Sequence, residues 1–264
     1  MRLGQHFLIN KTVIKKIVAS LEIKEGDFVV EIGPGHGEIT KELVKYPIQI
    51  IAIEKDKKLA DDLKFQISKS QFQIIGDDVL KILPEITKNL KKYKLVGNIP
   101  YYLTGFLFRI ISELENKPQL VVFTIQKEVA ERLTARPPKM NLLAASVQIW
   151  SDPKIIDYVP AGNFQPKPKV DSAIIKLKTL NLLARQSLGV GGKLEIKNVD
   201  YYKFIKILFK QPRKTIFNNL RSEFPQKEQK IKDILKENNI KENYRPQNLT
   251  LEQIKKLSSD ARVL

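Results

Sequence analysis

Between about Asp27 and Lys178, short β-branched runs alternate with longer segments of helical spacing, and this alternation restricts the fold more than any other feature of the chain. The runs are Phe28 to Ile32, Ile48 to Ile53, Phe72 to Ile75, Leu95 to Gly97, Leu120 to Ile125 and Ala173 to Leu177. Almost continuously apolar, they read as strands buried on both faces, the condition of a parallel sheet covered by helices. Candidate helices run from about Thr12 to Leu21, Ile39 to Val44, Lys57 to Ile67 and Leu103 to Leu114. The expectation is an α/β fold of stacked βα units around a mostly parallel sheet. After Leu180 the pattern changes. Residues 181–199 contain Gly189-Val190-Gly191-Gly192 and read as a linker. Beyond it, Tyr201 to Phe209, Lys214 to Leu220, Lys230 to Glu237 and Leu251 to Leu257 look like short helices set off by Pro212, Pro225 and Pro246. The organisation expected is a sheet domain over 1–180, a linker over 181–199 and a small all-helical domain over 200–264.

Composition narrows the function classes. No cysteine is present, which excludes disulfides, thiolate catalysis and cysteine-ligated metal clusters, and two histidines are too few for most zinc sites, so no metal is expected. No run approaches the ~20 apolar residues of a membrane span, and the first residues lack a signal peptide's apolar region, so the expected compartment is the cytoplasm. The net charge of +17, from 46 Lys and Arg against 29 Asp and Glu, calls for a polyanionic partner. Nucleic acid is favoured over a membrane surface, because no segment pairs this charge with a Trp- or Phe-lined helix face. Residues 200–264 carry 15 basic and 8 acidic residues, and Lys210, Arg213, Lys214 and Arg221 cluster there as candidate RNA phosphate contacts. Solvated surface is the ordinary fate of such lysines and the competing reading.

Four groups of residues carry chemistry. Glu31-Ile32-Gly33-Pro34-Gly35-His36-Gly37 joins the first strand to a helix, where glycines such as Gly33 and Gly35 admit a ligand close to backbone amides. A dinucleotide site would place a third glycine where Glu38 stands, and an acid there opposes a pyrophosphate. The spacing G-x-G-x-G instead resembles the first motif of S-adenosylmethionine-dependent methyltransferases. A tight βα turn without ligand is the alternative. Glu54, ending the second strand, suits the two ribose hydroxyls of an adenosine-containing cofactor. Asp77 or Asp78, after the third strand, suits an adenine amine. Asn98-Ile99-Pro100-Tyr101-Tyr102 follows the fourth strand, at the edge where open α/β sheets bind ligands. An amine conjugated to a ring is a poor nucleophile. The Asn98 side-chain oxygen and a backbone carbonyl accepting its two N–H bonds would favour the pyramidal, localised lone pair of the transition state. Pro100 stiffens the turn, and Tyr101 can stack on a base. An Asx-Pro turn with packed tyrosines is the competing reading for any one of these residues.

Gln5-His6-Phe7-Leu8, Glu31 to Gly37, Asn98 to Tyr102 and Phe164 to Ser172 together resemble the rRNA adenine N6,N6-dimethyltransferases, over nearly the whole chain. Pro168 to Ser172, Leu120 to Arg132, Arg213 to Leu220 and Arg245 to Leu251 resemble the housekeeping small-subunit branch of that family. The resemblance implies a Rossmann-like class I methyltransferase sheet with a small helical domain. It implies S-adenosylmethionine contacts at His6, Leu8, Gly33, Gly35, Glu54, Asp78 and Asn98, and it decides for Asp78 over Asp77. Asn98, in the catalytic turn with Ile99 and Pro100, would also face the substrate amine, and Tyr101 and Phe164 would sandwich the target adenine. The implied reaction is dimethylation of two adjacent adenines in a hairpin of 16S rRNA, during small-subunit biogenesis, by a monomer. The alternatives are a large-subunit methyltransferase of the macrolide-resistance type and a non-catalytic ribosome assembly factor of the same fold.

Overall fold

The computed structural model describes residues 6–180 and 198–264, so most of the expected linker lies outside the described residues. The chain divides into two compact units, Met1–Glu131 with Asp152–Thr179, and Arg132–Ser151 with Leu180–Leu264.

Among the described residues the first unit holds a seven-stranded sheet and a two-stranded ribbon. In chain order the strands of the protein are β1 (Phe7–Leu8), β2 (Phe28–Ile32), β3 (Gln49–Ile53), β4 (Phe72–Ile75), β5 (Lys94–Asn98), β6 (Leu120–Gln126), β7 (Ser151–Val159), β8 (Phe164–Gln165) and β9 (Ser172–Thr179). The large sheet runs β4-β3-β2-β5-β6-β9-β7, and β1 pairs with β8 in a separate two-stranded ribbon. Strands β2 to β6 are parallel, and β9 is antiparallel to β6. The expected strands are all present. Strand β7 was not foreseen, because Asp152, Pro153 and Lys154 break its apolar pattern and Lys154, Ile156 and Tyr158 face solvent. An edge position tolerates a residue without an N–H.

Helix α1 (Lys11–Ser20) leads into β2, helices α2 (Glu38–Leu43), α3 (Lys57–Gln66), α4 (Val79–Thr87) and α5 (Thr104–Glu113) connect the parallel strands, and α6 (Lys127–Leu133) follows β6. Asn10 starts α1 by accepting hydrogen bonds from the N–H groups of Thr12 and Val13, and Asp56 does the same for α3. Ile14, Ile17 and Val18 of α1 pack with Val29, Ile50, Val96, Val122 and Ile174 of the sheet. Each such side chain, fully buried, contributes about 1.5–3 kcal/mol.

The second unit contains α7 (Leu142–Gln148), α8 (Asn198–Leu208), α9 (Ile216–Glu223), α10 (Glu228–Glu237) and α11 (Leu251–Asp260). Its division from the sheet corrects the expected boundary at 180, since residues 132–151 pack with the carboxyl-terminal helices. Ala144 and Ala145 share a core with Tyr201, Phe204, Leu208 and Ile254, and the Tyr201 hydroxyl donates to the Ala145 carbonyl at 3.1 Å. Small residues such as these carry no signal of which core receives them, so reading in chain order left the segment with the sheet.

Gly97 lets β5 lie against the end of β2. A Cβ there would stand 2.4 Å from the Ile32 carbonyl oxygen, and that oxygen belongs to backbone which cannot yield. Gly97→Ala is expected to destabilise the protein by about 1–3 kcal/mol or more in urea denaturation. Gly105→Ala, where a Cβ meets nothing within 4 Å, should be neutral or slightly stabilising.

Candidate active site

The strand order reverses between β2 and β5, so the loops leaving their carboxyl ends diverge and open a crevice. A cavity fills it, walled by the loops after β2, β3, β4 and β5, by the amino-terminal segment and by Phe164.

After β2 the chain turns through Gly33, Gly35 and Gly37, with φ of 64°, 59° and 84°. This left-handed region strains any side chain, and at Gly35 a Cβ would also strike the Phe7 ring at 2.8 Å. The Gly35 N–H donates to Glu54 Oε2 at 3.1 Å, and the Asp56 N–H donates to Oε1 at 3.0 Å. Glu54 is therefore immobilised by backbone while still forming cavity wall. Beneath the loop lies Glu31, with its Oε2 accepting from the Thr40 hydroxyl at 2.7 Å. Burial pushes its carboxyl up to about 8, against the Thr40 hydrogen bond and with help from the carboxylates of Glu38 and Glu54.

Asp78 caps α4 by accepting from the Leu80 N–H at 2.9 Å, and Lys55 Nζ pairs with its other oxygen at 2.8 Å. That Lys55 hydrogen bond holds the carboxyl below the usual carboxylate range. Asp77 also borders the cavity, and its Oδ1 accepts the Asp78 N–H.

At the end of β5 the Asn98 amide donates through Nδ2 to the His6 carbonyl at 2.7 Å, which leaves Oδ1 as its acceptor. The Ile99 N–H is tied to the Thr124 carbonyl at 3.0 Å, and Pro100 leads into a single 3-10 turn over Tyr101–Leu103. The Tyr101 hydroxyl shares a 2.9 Å hydrogen bond with the Ser172 hydroxyl. Burial raises the Tyr101 pKa above that of an ordinary phenol. The His6 ring lies 5.8 Å from the Tyr101 ring, with its Nδ1 against the Pro166 carbonyl at 2.7 Å. Phe164, only 3% exposed, is placed by pairing of β8 with β1.

His6, Gly33, Gly35, Glu54, Asp78, Asn98, Ile99, Pro100, Tyr101 and Phe164 thus surround one cavity, as their positions in the sequence lead one to expect. Leu8 does not. Its side chain is 2% exposed and packs in the core, while its backbone pairs with Phe164. Sequence reasoning missed Lys55, Val79, Tyr102 and Phe106 as cavity wall. Lys55 and Val79 adjoin recognised acids and were within reach. Phe106, 60% exposed, gave no signal, because an aromatic at helical spacing ordinarily reads as core.

In the helical unit Lys210, Arg213, Lys214 and Arg221 are all exposed. Lys210 pairs with Glu223 at 3.1 Å, and Arg221 lies 3.7 Å from Glu228 and over the Phe217 ring. Among the described residues no ion pair engages Arg213 or Lys214. Their loop is held by buried Asn219, which accepts the Gln211 N–H and donates to the Gln211 and Thr215 carbonyls. Hydrogen bonds from the Ile216 N–H to the Tyr244 carbonyl and from the Met140 N–H to the Gln247 carbonyl join this loop to the segments bearing Arg245 and Lys139. Among the described residues no helix is long and apolar enough to cross a membrane.

A sheet of this order, taken with the family match that follows, places the chain among the class I methyltransferases, and such a family and fold imply use of S-adenosylmethionine. The chain belongs to the ribosomal RNA adenine dimethylase family, whose model matches residues 1–257. It is 38% identical over 258 residues to ribosomal RNA small subunit methyltransferase A of Dehalococcoides mccartyi, covering 97% of this chain and 86% of that protein. It is 37% identical to the protein of the same description in Mycoplasmopsis pulmonis, covering 99% and 98%. In fold it is similar to a dimethyladenosine transferase from Plasmodium falciparum, with TM-score 0.76, 23% identity and 96% of each chain covered. It is likewise similar to the 23S rRNA methyltransferase ErmE, with TM-score 0.74, 23% identity and 96% and 98% covered.

The buried Glu31 makes stability depend on pH. Between its unfolded value near 4.5 and its folded value near 8, the unfolded chain has released a proton that the folded chain keeps. Stability therefore declines as pH rises through that window and levels off above it. Glu31→Gln should flatten this decline in urea midpoints taken at about pH 6 and about pH 8.5. An equally steep profile in the variant would assign the decline to other groups.

Proposed function

We propose that this chain dimethylates N6 of two adjacent adenines in a hairpin of 16S rRNA, as a cytoplasmic monomer acting in small-subunit biogenesis. The observation that carries the chemistry is the Asn98 amide, turned by its bond to the His6 carbonyl so that Oδ1 is left to accept. With the Ile99 carbonyl beside it, this oxygen takes the two N–H bonds of an adenine amine and favours its localised lone pair. Tyr101 and Phe164 hold the base between them, and base–aromatic stacking offsets the cost of unstacking it from the RNA.

The cavity fits S-adenosylmethionine. The turn at Gly33 and Gly35 brings backbone close to a ligand, the Glu54 carboxylate retains outward lone pairs for ribose hydroxyls, and Asp78 can accept an adenine amine. His6 and Asn98 complete the wall nearest the transfer. When bound, this cofactor supplies an electrophilic methyl group on a sulfonium. No residue needs to act as base, because the alkylated amine is acidic enough to lose its proton to water. The protein's part is positioning and lone-pair localisation.

The small-subunit reading is supported by the 38% identity to the Dehalococcoides relative over 97% of this chain. The likeness to ErmE, at 23% identity, extends to fold alone. The intact Asn98-Ile99-Pro100-Tyr101 turn argues against a non-catalytic assembly factor. Arg213 and Lys214, with Lys210 and Arg221 beside them, would grip RNA phosphates.

Asn98→Ala should lower transfer of labelled methyl groups to small subunits from an unmethylated strain by about 10²–10³-fold, with cofactor affinity by calorimetry largely kept. Undiminished transfer would sink the mechanism, and methylation of large subunits instead would favour the resistance-type alternative. Replacing Arg213 and Lys214 together by Ala should weaken RNA binding and reduce the slope of log affinity against log salt by about 1 to 2. An unchanged slope would remove them from the interface.

A further inference from the structure

We propose that Asp171 and Ser172 form a positioning clamp that sets both aromatic walls of the target-base slot, Tyr101 through the Ser172 hydroxyl and Phe164 through the Asp171 carboxylate. This rests on the reading above that Tyr101 and Phe164 hold the target adenine. The two residues are adjacent in the chain, yet they reach different walls. Ser172, 1% exposed, shares its hydrogen bond with the Tyr101 hydroxyl at 2.9 Å. Buried in this way, the serine has little access to competing water, and the tyrosine hydroxyl has one fixed partner. Tyr101 sits on a single 3-10 turn, so without that bond its ring is free to swing into or out of the slot.

Asp171 Oδ1 accepts the Ala161 N–H at 2.9 Å. Ala161 opens the one-turn segment Ala161–Asn163, and Phe164 is the next residue. The carboxylate thus anchors the start of the turn that delivers the second wall, while the Asn163 carbonyl accepts the Ile9 N–H at 2.9 Å at its end. The clamp is itself fastened to the sheet. Ser172 stands opposite Gln126 in the β6–β9 ladder, and the Lys127 N–H donates to the Asp171 carbonyl at 3.0 Å. Both walls are therefore referenced to one rigid strand end, which also lies beside the Asn98 turn through β6. Methyl transfer demands a near-attack geometry, and small displacements of the base cost rate more than they cost binding.

The test is steady-state kinetics on small subunits with Ser172→Ala, Tyr101→Phe, the double variant, Tyr101→Ala, Asp171→Ala and Asp171→Asn, alongside calorimetry with S-adenosylmethionine and thermal melting. Ser172→Ala and Tyr101→Phe should each lower kcat by about five- to tenfold with cofactor affinity unchanged, and the double variant should be no worse than either single one. Asp171→Ala should lower kcat similarly, and Asp171→Asn, which keeps an acceptor oxygen, should restore most of it. Tyr101→Phe deletes one oxygen and keeps the ring, so the test survives if a replacement at 171 or 172 fails to fold. Unchanged kcat in Ser172→Ala and Tyr101→Phe, or losses that multiply in the double variant, would overturn the clamp while a slow Tyr101→Ala enzyme upheld the slot. An undiminished Tyr101→Ala enzyme would remove the slot and the clamp together.

Discussion

The reversal of strand order between β2 and β5 is the constraint on which the rest of the first unit depends. Parallel strands direct all their carboxyl ends to one edge, and the reversal sends neighbouring loops apart, so the crevice exists before any functional residue is placed in it. Its width is set by how closely β5 approaches β2. Gly97 permits that approach because its missing Cβ would fall on the Ile32 carbonyl, and Asn98 is the next residue. The Asn98 side chain, which borders the cavity, therefore takes its position from a backbone contact one residue earlier.

Charge is distributed unevenly between the cavity and the helical unit. The chain carries a net +17, yet the cavity is bordered by Glu54, Asp77 and Asp78 with Lys55 as the cation paired to Asp78. Carboxylates near a sulfonium and an amino group favour a cationic cofactor, while exposed cations of the helical unit favour phosphates. Glu31, so close to Glu54, would add repulsion if ionised. Its neutral form, hydrogen-bonded to Thr40, avoids that cost and still braces the glycine turn.

Much of this was legible in the sequence, for physical reasons that also explain the failures. Strands buried on both faces read as apolar runs, glycines relieve the strain of left-handed turns, and acids at strand ends fall at the ligand edge by topology. Positions decided by tertiary contact left no such trace. Ser151–Val159 is a strand because β9 offers it an edge, Ala144 and Ala145 belong to the helical core because Tyr201 and Phe204 cover them, and Ser172 is hydrogen-bonded to Tyr101, which lies 71 positions away.

Leu8 shows how one short segment divides its contacts between cavity and core. The amino-terminal segment crosses the cavity and touches it at three places. The His6 carbonyl orients Asn98, His6 Nδ1 meets Pro166 beyond Phe164, and Phe7 lies over Gly35 with its ring 4.3 Å from that of His36. None of these contacts would hold if the segment were free to lift. Leu8 prevents that by burying its side chain in the core while its backbone pairs with Phe164, so it anchors the two neighbouring residues that border the cavity. The Gly35 and Phe164 sides of the cavity are thereby joined through one short strand, with Asn98 held to it by the His6 carbonyl.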